Sequence, residues 1–242
     1  MKHDHLYKLT GILLVSIPVA FTVFFTLLGT MFDYPDILRA STDQVMRRFQ
    51  AGGSGLIVTW YGMTLTAASF IVLVLLVHQL SASEDTPYMP IATTFGVVAG
   101  VVQVLGFIRW PFLVPYLARV YLDPASSEAA REAVAIVFQA FNQYAGVAVG
   151  EHLGYLFTSL WTGLTALAML KSPLFKAWLA WPGVVLAAGI FTGLLEPAGV
   201  AWAGPINAIS YLLWAAWLVA IGFALLRADP ATWKISPARR AC

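Results

Sequence analysis

Apolar residues in this chain gather in blocks of roughly 20, long enough to cross a hydrocarbon layer about 30 Å thick. Six such blocks can be drawn by length and hydropathy, over 8–32, 56–80, 91–110, 145–170, 178–196 and 205–227. Short turns join some of them: SASEDTPYMP (81–90), KSPLFKA (171–177) and PAGVAWAG (197–204). Two connections are long. In the first, over 33–55, Ser41 with Gln44 fits a capping box, in which each side chain caps the other's backbone N–H. Val45, Met46 and Phe49 then make one apolar helical face, and Gly52, Gly53 and Gly55 are expected to stop that helix and turn the chain into the second span. In the second, over 111–144, Asp123-Pro124 predicts a helix start. Beyond it Val134, Val137, Phe138 and Phe141 form one face, and Glu128, Arg131, Glu132, Gln139 and Asn142 the other. The pattern predicts an all-α fold: an integral membrane bundle of about six transmembrane helices, with amphipathic helices in the long outer loops. It reads as a single transmembrane domain over 1–242, with Pro18 expected to kink the first span.

Composition supports that assignment. The chain is 60% hydrophobic and 11% charged, against roughly 25% charged in soluble domains. Its net charge of +2 gives no bulk attraction for nucleic acid. The only cysteine, Cys242, excludes an internal disulfide and a thiolate metal cluster, and it does not begin a prenylation box. The first apolar block is too long for a signal-peptide core and lacks a small-x-small cleavage site, so it reads as a retained helix. With the N-terminus inside, the inner side receives every lysine (Lys2, Lys8, Lys171, Lys176, Lys234) together with Arg227, Arg239 and Arg240. The outer side receives Arg39, Arg47, Arg48, Arg109, Arg119 and Arg131. The positive-inside rule then predicts a multi-pass protein of the inner (plasma) membrane with both termini cytoplasmic.

Polar residues within the spans are the candidate chemistry, because ionisable groups in a bilayer are costly unless paired and usually face the bundle interior or a water-filled cavity. GEHLGYLFTSLW (150–161) places Glu151 and His152 in an apolar helix. At helical spacing Tyr144, Glu151, Tyr155, Thr158 and Thr162 share one stripe. The same outer end receives Gln103 and Arg109 from the third span, Glu196 from the fifth, Asn207, Ser210 and Tyr211 from the sixth, and Asp33 beneath a Thr22, Thr26, Thr30 stripe from the first. Arg109 is the expected partner of Glu151, Glu196 or both. The candidate ligand-binding set is therefore Gln103, Arg109, Glu151, His152, Tyr155, Glu196 and Asn207. Trp60, Trp110, Trp181 and Trp202 read as interfacial anchors; Trp161 and Trp214 lie deeper, with packing the plain expectation and lining a cavity the alternative.

Several chemistries fail on spacing. Glu-His without a second histidine one turn away is not a zincin motif, so no metal site is expected. His3 and His5 lie in the N-terminal tail and His78 near the inner face, out of reach of His152, which argues against bis-histidine haem. No nucleophile elbow is present, and GGSG at 52–55 lacks the P-loop lysine. The cofactor is left unknown: a single-histidine haem stays open, and nothing in the sequence requires it. Gly146, Gly150 and Gly154, like Gly96 with Gly100 and Gly189 with Gly193, repeat at every fourth residue, which lets helices approach closely. Packing within the chain is the plain expectation. A homo-oligomer or a partner membrane subunit docking on Gly146, Gly150 and Gly154 is the alternative.

FDYPDILR (32–39), FQAGGSGL (49–56), VVQVLGFIRWPFLVP (101–115), VFQAFNQYAGVAVGEHLGYLFTSLW (137–161), GLLEP (193–197) and INAISYLLW (206–214) together resemble a bacterial family of multi-span membrane proteins classed as domain of unknown function 4386. The resemblance touches nearly the whole chain. It implies an integral membrane helical protein and assigns no catalytic residue. Three readings follow from the residues: a protein that binds a small or lipid-like ligand, from the membrane lipid or a small lipophilic molecule, in an outer-leaflet polar pocket; a membrane enzyme using a Glu/His acid–base group; and a structural or accessory subunit of a membrane complex.

Overall fold

The computed structural model describes residues 3–172 and 174–228. Lys2, Lys234, Arg239, Arg240 and Cys242 lie outside the described residues. Seven α-helices are present: α1 (His3–Phe32), α2 (Thr42–Ser81), α3 (Met89–Leu122), α4 (Glu128–Phe141), α5 (Gly154–Lys171), α6 (Ala177–Phe191) and α7 (Ala203–Arg227). A wide-turned π-helix, Asn142–Leu153, joins α4 to α5 without a break, and 3₁₀ turns occupy Asp36–Arg39 and Thr192–Ala198. No strand occurs among the described residues. Six helical stretches are long and apolar enough to cross a membrane, as the hydropathy blocks predict.

The helices close a ring. α1 packs on α2 and α7, α2 on α3, α3 on α5, α5 on α6, and α6 on α7. The start of α1 meets the end of α7, where Leu6 and Tyr7 join Leu225 in one core and Gly11 faces Leu226. Both described ends of the chain therefore lie at one end of the bundle, as an even number of crossings requires. The 82–88 turn and Lys171 lie at this end too, tied by Lys171 Nζ donating to the Asp85 carbonyl at 3.0 Å.

Three of the spans are far longer than the membrane they cross. At 1.5 Å per residue, the 40 residues of α2 reach about 60 Å, the 34 of α3 about 51 Å, and the unbroken 44-residue run Glu128–Lys171 about 66 Å, against about 30 Å of hydrocarbon. The surplus projects from the end opposite Lys171 and forms a cap with its own core: Val45, Met46, Phe49, Trp60, Trp110, Val114, Leu117, Val134 and Phe138, with Phe32 from α1 beneath. Trp60 and Trp110 stack nearly parallel, centroids 4.8 Å apart, with Phe32 edge-on to both.

The cap revises several local expectations. The Ser41–Gln44 box forms in both directions and starts α2. The glycines after it do not end the helix. Only Gly53 leaves helical geometry, at φ 55°, and α2 continues as a kinked rod; a side chain there would be strained in the left-handed region. Asp123 ends α3 instead of starting a helix, accepting from the Ala125 N–H at 2.8 Å, and α4 begins at Glu128 with Ser127 accepting from the Ala130 N–H. Pro111 and Pro115 lie inside α3, so the third span does not stop at residue 110. On α4 only Val134 and Phe138 are buried; Val137 and Phe141 are exposed. Trp60 and Trp110 are fully buried in the cap, so they are not interfacial anchors, whereas Trp181 and Trp202 are exposed and fit that role.

Candidate functional site

The site lies where the ring meets the cap. About 20 residues of helix separate Glu151 from Lys171, or about 30 Å. With Lys171 at one hydrocarbon boundary, Glu151 stands close to the other.

Arg109 is held first. Its side chain is 8% exposed. One terminal nitrogen donates to the carbonyl of Gly106, one turn back, and the other donates to Asn142 Oδ1 at 3.1 Å. The guanidinium lies against Gly146, where a methyl group would stand 2.9 Å from its central carbon, and 5.2 Å from the Trp110 ring centroid. Arg109 Nε is buried with no partner among the described residues. Below this staple, α3 and the wide-turned segment touch backbone to backbone, Gly106 on Gly150. The four-residue glycine repeat is thus taken up inside the chain: Gly146 by Arg109, Gly150 by Gly106, and Gly154, more loosely, by Gln103.

The expected Glu151–Arg109 ion pair does not form. The ion pairs among the described residues are Arg39–Asp36, Arg47–Asp43 and Arg48–Asp33, and no side-chain hydrogen bond reaches the half-buried Glu151 carboxylate. Its charged neighbours at longer range are Arg109, Glu196 and Arg39. Three tyrosines sense its charge: Tyr155 from α5, Tyr211 from α7 and Tyr34 from the turn after α1. Tyr155 and Tyr211 are in ring contact at 5.8 Å, and Tyr211 meets Trp214 edge-on at 5.9 Å. Tyr34 packs edge-on against Trp60 and Phe25. Burial, then the charge of Glu151, raise its phenol above the ordinary tyrosine value, and Arg109 opposes them. Gln103 donates to Thr158 at 3.3 Å, and Trp214 donates to Thr162 at 2.8 Å, so the wall below Glu151 is hydrogen-bonded and closed.

The other predicted residues have separate roles. Asn207 donates to the Ile190 carbonyl at 2.7 Å, beside the Thr192 hydroxyl, which bonds to Gly189 and Ala203. It ties the start of α7 to the end of α6. Glu196 is exposed, its carboxyl group over Gly204 in the first turn of α7, where helix N–H groups favour a negative charge. His152 turns Nδ1 inward, to a place where no hydrogen-bond partner meets it. Tyr144 is 70% exposed and leaves the stripe. Asp33 pairs with Arg48 at 2.8 Å instead of joining the site. Thr22, Thr26 and Thr30 bond to carbonyls of their own helix. His78 hydrogen-bonds Thr93 near the Lys171 end, far from His152. No cluster of three or more His, Cys, Asp or Glu suited to a metal occurs among the described residues. Sequence reasoning missed Tyr34 as a member of the site and Asn142 as the partner of Arg109.

A ring of six apolar helices around a half-buried carboxylate defines a polytopic helical membrane protein. Residues 9–222 match the family described as Domain of unknown function (DUF4386), and the chain belongs to that family. No curated protein and no solved structure matches it.

Proposed function

We propose that the protein binds a small or lipid-like ligand at the capped end of its ring, beside Glu151 and among Tyr155, Tyr211 and Tyr34. In this reading the capped end faces outward from the inner (plasma) membrane and both termini face the cytoplasm. The lysine distribution supports that orientation, since Lys8, Lys171 and Lys176 share the end opposite the cap.

One observation carries the reading. The Glu151 carboxylate, about 30 Å of helix above Lys171, has no hydrogen-bond donor from its own chain, while Arg109 is committed to a backbone carbonyl and an asparagine. A carboxylate that served only to fix helix register would need a partner, since an unpaired charge in such a place is a cost without a return. A ligand supplies one.

The test is Glu151→Gln, read by native mass spectrometry and by unfolding in mixed micelles. Wild type is expected to retain a nonprotein mass that the variant loses, with stability unchanged or slightly raised. Absence of any adduct from wild type, together with a clear loss of stability in the variant, would refute the ligand reading and leave a purely structural charge.

A further inference from the structure

α4 carries a second apolar face that no described part of the chain covers. At about 100° per residue, its surface divides into a buried, a polar and an exposed apolar sector. Val134 and Phe138 point into the cap core. Glu128, Arg131, Glu132, Gln139 and Asn142 form the polar sector, from which Gln139 donates to Thr42 and Asn142 accepts from Arg109. The remaining sector, about 100° wide, holds Ala129, Ala133, Ile136, Val137 and Ala140, with Tyr144 continuing it past the helix end. All six are exposed, Ile136 and Tyr144 to 70%. Since the other two sectors turn toward the rest of the molecule, this one turns away from it.

The face stands in water. α4 lies beyond the 12-residue π-helix that holds Glu151, and Glu151 already stands close to the hydrocarbon boundary. An apolar strip exposed there marks a docking surface. Its shape fits one helix: Ala129, Ala133 and Ala140 let a facing helix come close between the larger Ile136, Val137 and Tyr144. Symmetry and charge then favour the same helix of a second copy. Copies in one membrane stand alike, so a two-fold axis along the membrane normal brings this face onto itself at equal height. In such a parallel pair the edge carrying Glu128 and Glu132 meets the uncharged edge of the other copy, and no like charges oppose. From Ala129 to Tyr144 the strip is about 22 Å long and 10 Å wide, roughly a quarter of the about 800 Å² that each partner gives to a standard interface. A contact of that size is reversible and depends on the membrane to hold both copies upright.

We infer that this face pairs with the same face of a second copy of the chain, α4 beside α4 and parallel, in a dimer that forms in the membrane and separates on dilution in detergent. The pairing surface is not the glycine repeat, which is packed inside the chain against Arg109, Gly106 and Gln103, but the far side of the same rod. The inference is independent of any ligand at Glu151.

The test uses the full-length chain with Cys242, its only cysteine, replaced by Ser. Single cysteines are placed at Ala133 or Ala140 on the face and at Glu128 or Arg131 on the polar sector, all exposed positions. Each variant, at low expression, is oxidised in its own membranes with copper phenanthroline, and the product is purified and weighed. Ala133→Cys and Ala140→Cys are expected to form a product of twice the chain mass about fivefold faster, or more, than Glu128→Cys and Arg131→Cys. Adding Ile136→Glu to Ala140→Cys sets like charges on the axis and should slow the reaction by a similar factor. Thermal unfolding of the solubilised monomer should not change, because Ile136 is exposed. Equal rates at all four positions, as random collision gives, or no cross-link at any, would overturn the pairing. A product of any other mass would overturn the second copy and give the face to a different protein. A rate indifferent to Ile136→Glu would overturn this face as the contact.

Discussion

The closest backbone approach around the site yields a sharp stability prediction. A methyl group at Gly106 would stand 2.9 Å from the Gly150 Cα and 3.4 Å from the Ala145 carbonyl oxygen. Both obstacles are main chain, so no rotamer change relieves them, and α3 must separate from the wide-turned segment by about half an ångström or more to restore contact distance. Overpacking of this kind costs about 1–3 kcal/mol. Alanine returns roughly 0.5–1 kcal/mol through its better helix propensity, so the proper reference is a glycine with room. Gly163 supplies it: a methyl there would touch only the Ala187 Cβ, at 3.4 Å. Gly163→Ala should therefore be neutral or stabilising, and Gly106→Ala should lie about 1–3 kcal/mol below it, or about 5- to 150-fold in the unfolding equilibrium. The assay is titration of dodecyl maltoside micelles with sodium dodecyl sulfate, followed by tryptophan fluorescence. If the two variants unfold together, or Gly106→Ala exceeds wild type, the backbone contact between α3 and the wide-turned segment is not as described.

Three further outcomes can be read in the same assay. Asn142→Ala removes the acceptor of a buried guanidinium and should cost about 1.5–3 kcal/mol, the range for hydrogen bonds to charged groups, while Asn142→Asp should recover it by pairing Arg109. Tyr88→Phe should be neutral or stabilising by about 1 kcal/mol, because the Tyr88 hydroxyl is buried without a partner and its removal ends an unsatisfied group; the Lys171 ammonium, 5.6 Å from the ring centroid, keeps a ring to face. Ser41→Ala should cost about 1 kcal/mol through loss of the capping box, with ligand retention by native mass spectrometry unchanged.

The spans and their order were legible because the apolar block of each is about as long as a bilayer is thick, and hydropathy reports that block directly, though not how far α2, α3 and α4–α5 run on past it. The cap was only half legible. Val45, Met46 and Phe49 advertise a helical face, but nothing local says that this face belongs to the same rod as the second span, since Gly52-Gly53 reads equally well as a stop or a kink. Hydropathy draws the third block to end at residue 110, yet α3 runs on through Pro111 and Pro115 to Leu122. At the site, Tyr155, Thr158 and Thr162 were placed correctly from a 3.6-residue period because α5 is regular below Gly154. Tyr144 was not, because the π-helix over Asn142–Leu153 has i→i+5 bonding and shifts the phase of everything above it. Tyr34 carries no signal at all: it sits in a turn, and only the packing of that turn beneath the cap brings it to Glu151.

The π-helix and the unpaired carboxylate have one physical origin. A π-turn widens the helix, and here the widened segment presents Asn142 and the bare face of Gly146 to Arg109, which bridges to it from its own backbone at Gly106. A guanidinium used in this way is a staple between two rods, with its donors aimed at oxygens that cannot move. It lends Glu151 a field but no hydrogen bond. Had Arg109 paired with Glu151, the two charges would have satisfied each other and the arrangement would be explained by helix register alone. With the arginine committed to Gly106 and Asn142, the glutamate is left without a hydrogen bond from its own chain, and the ligand proposed above would supply one.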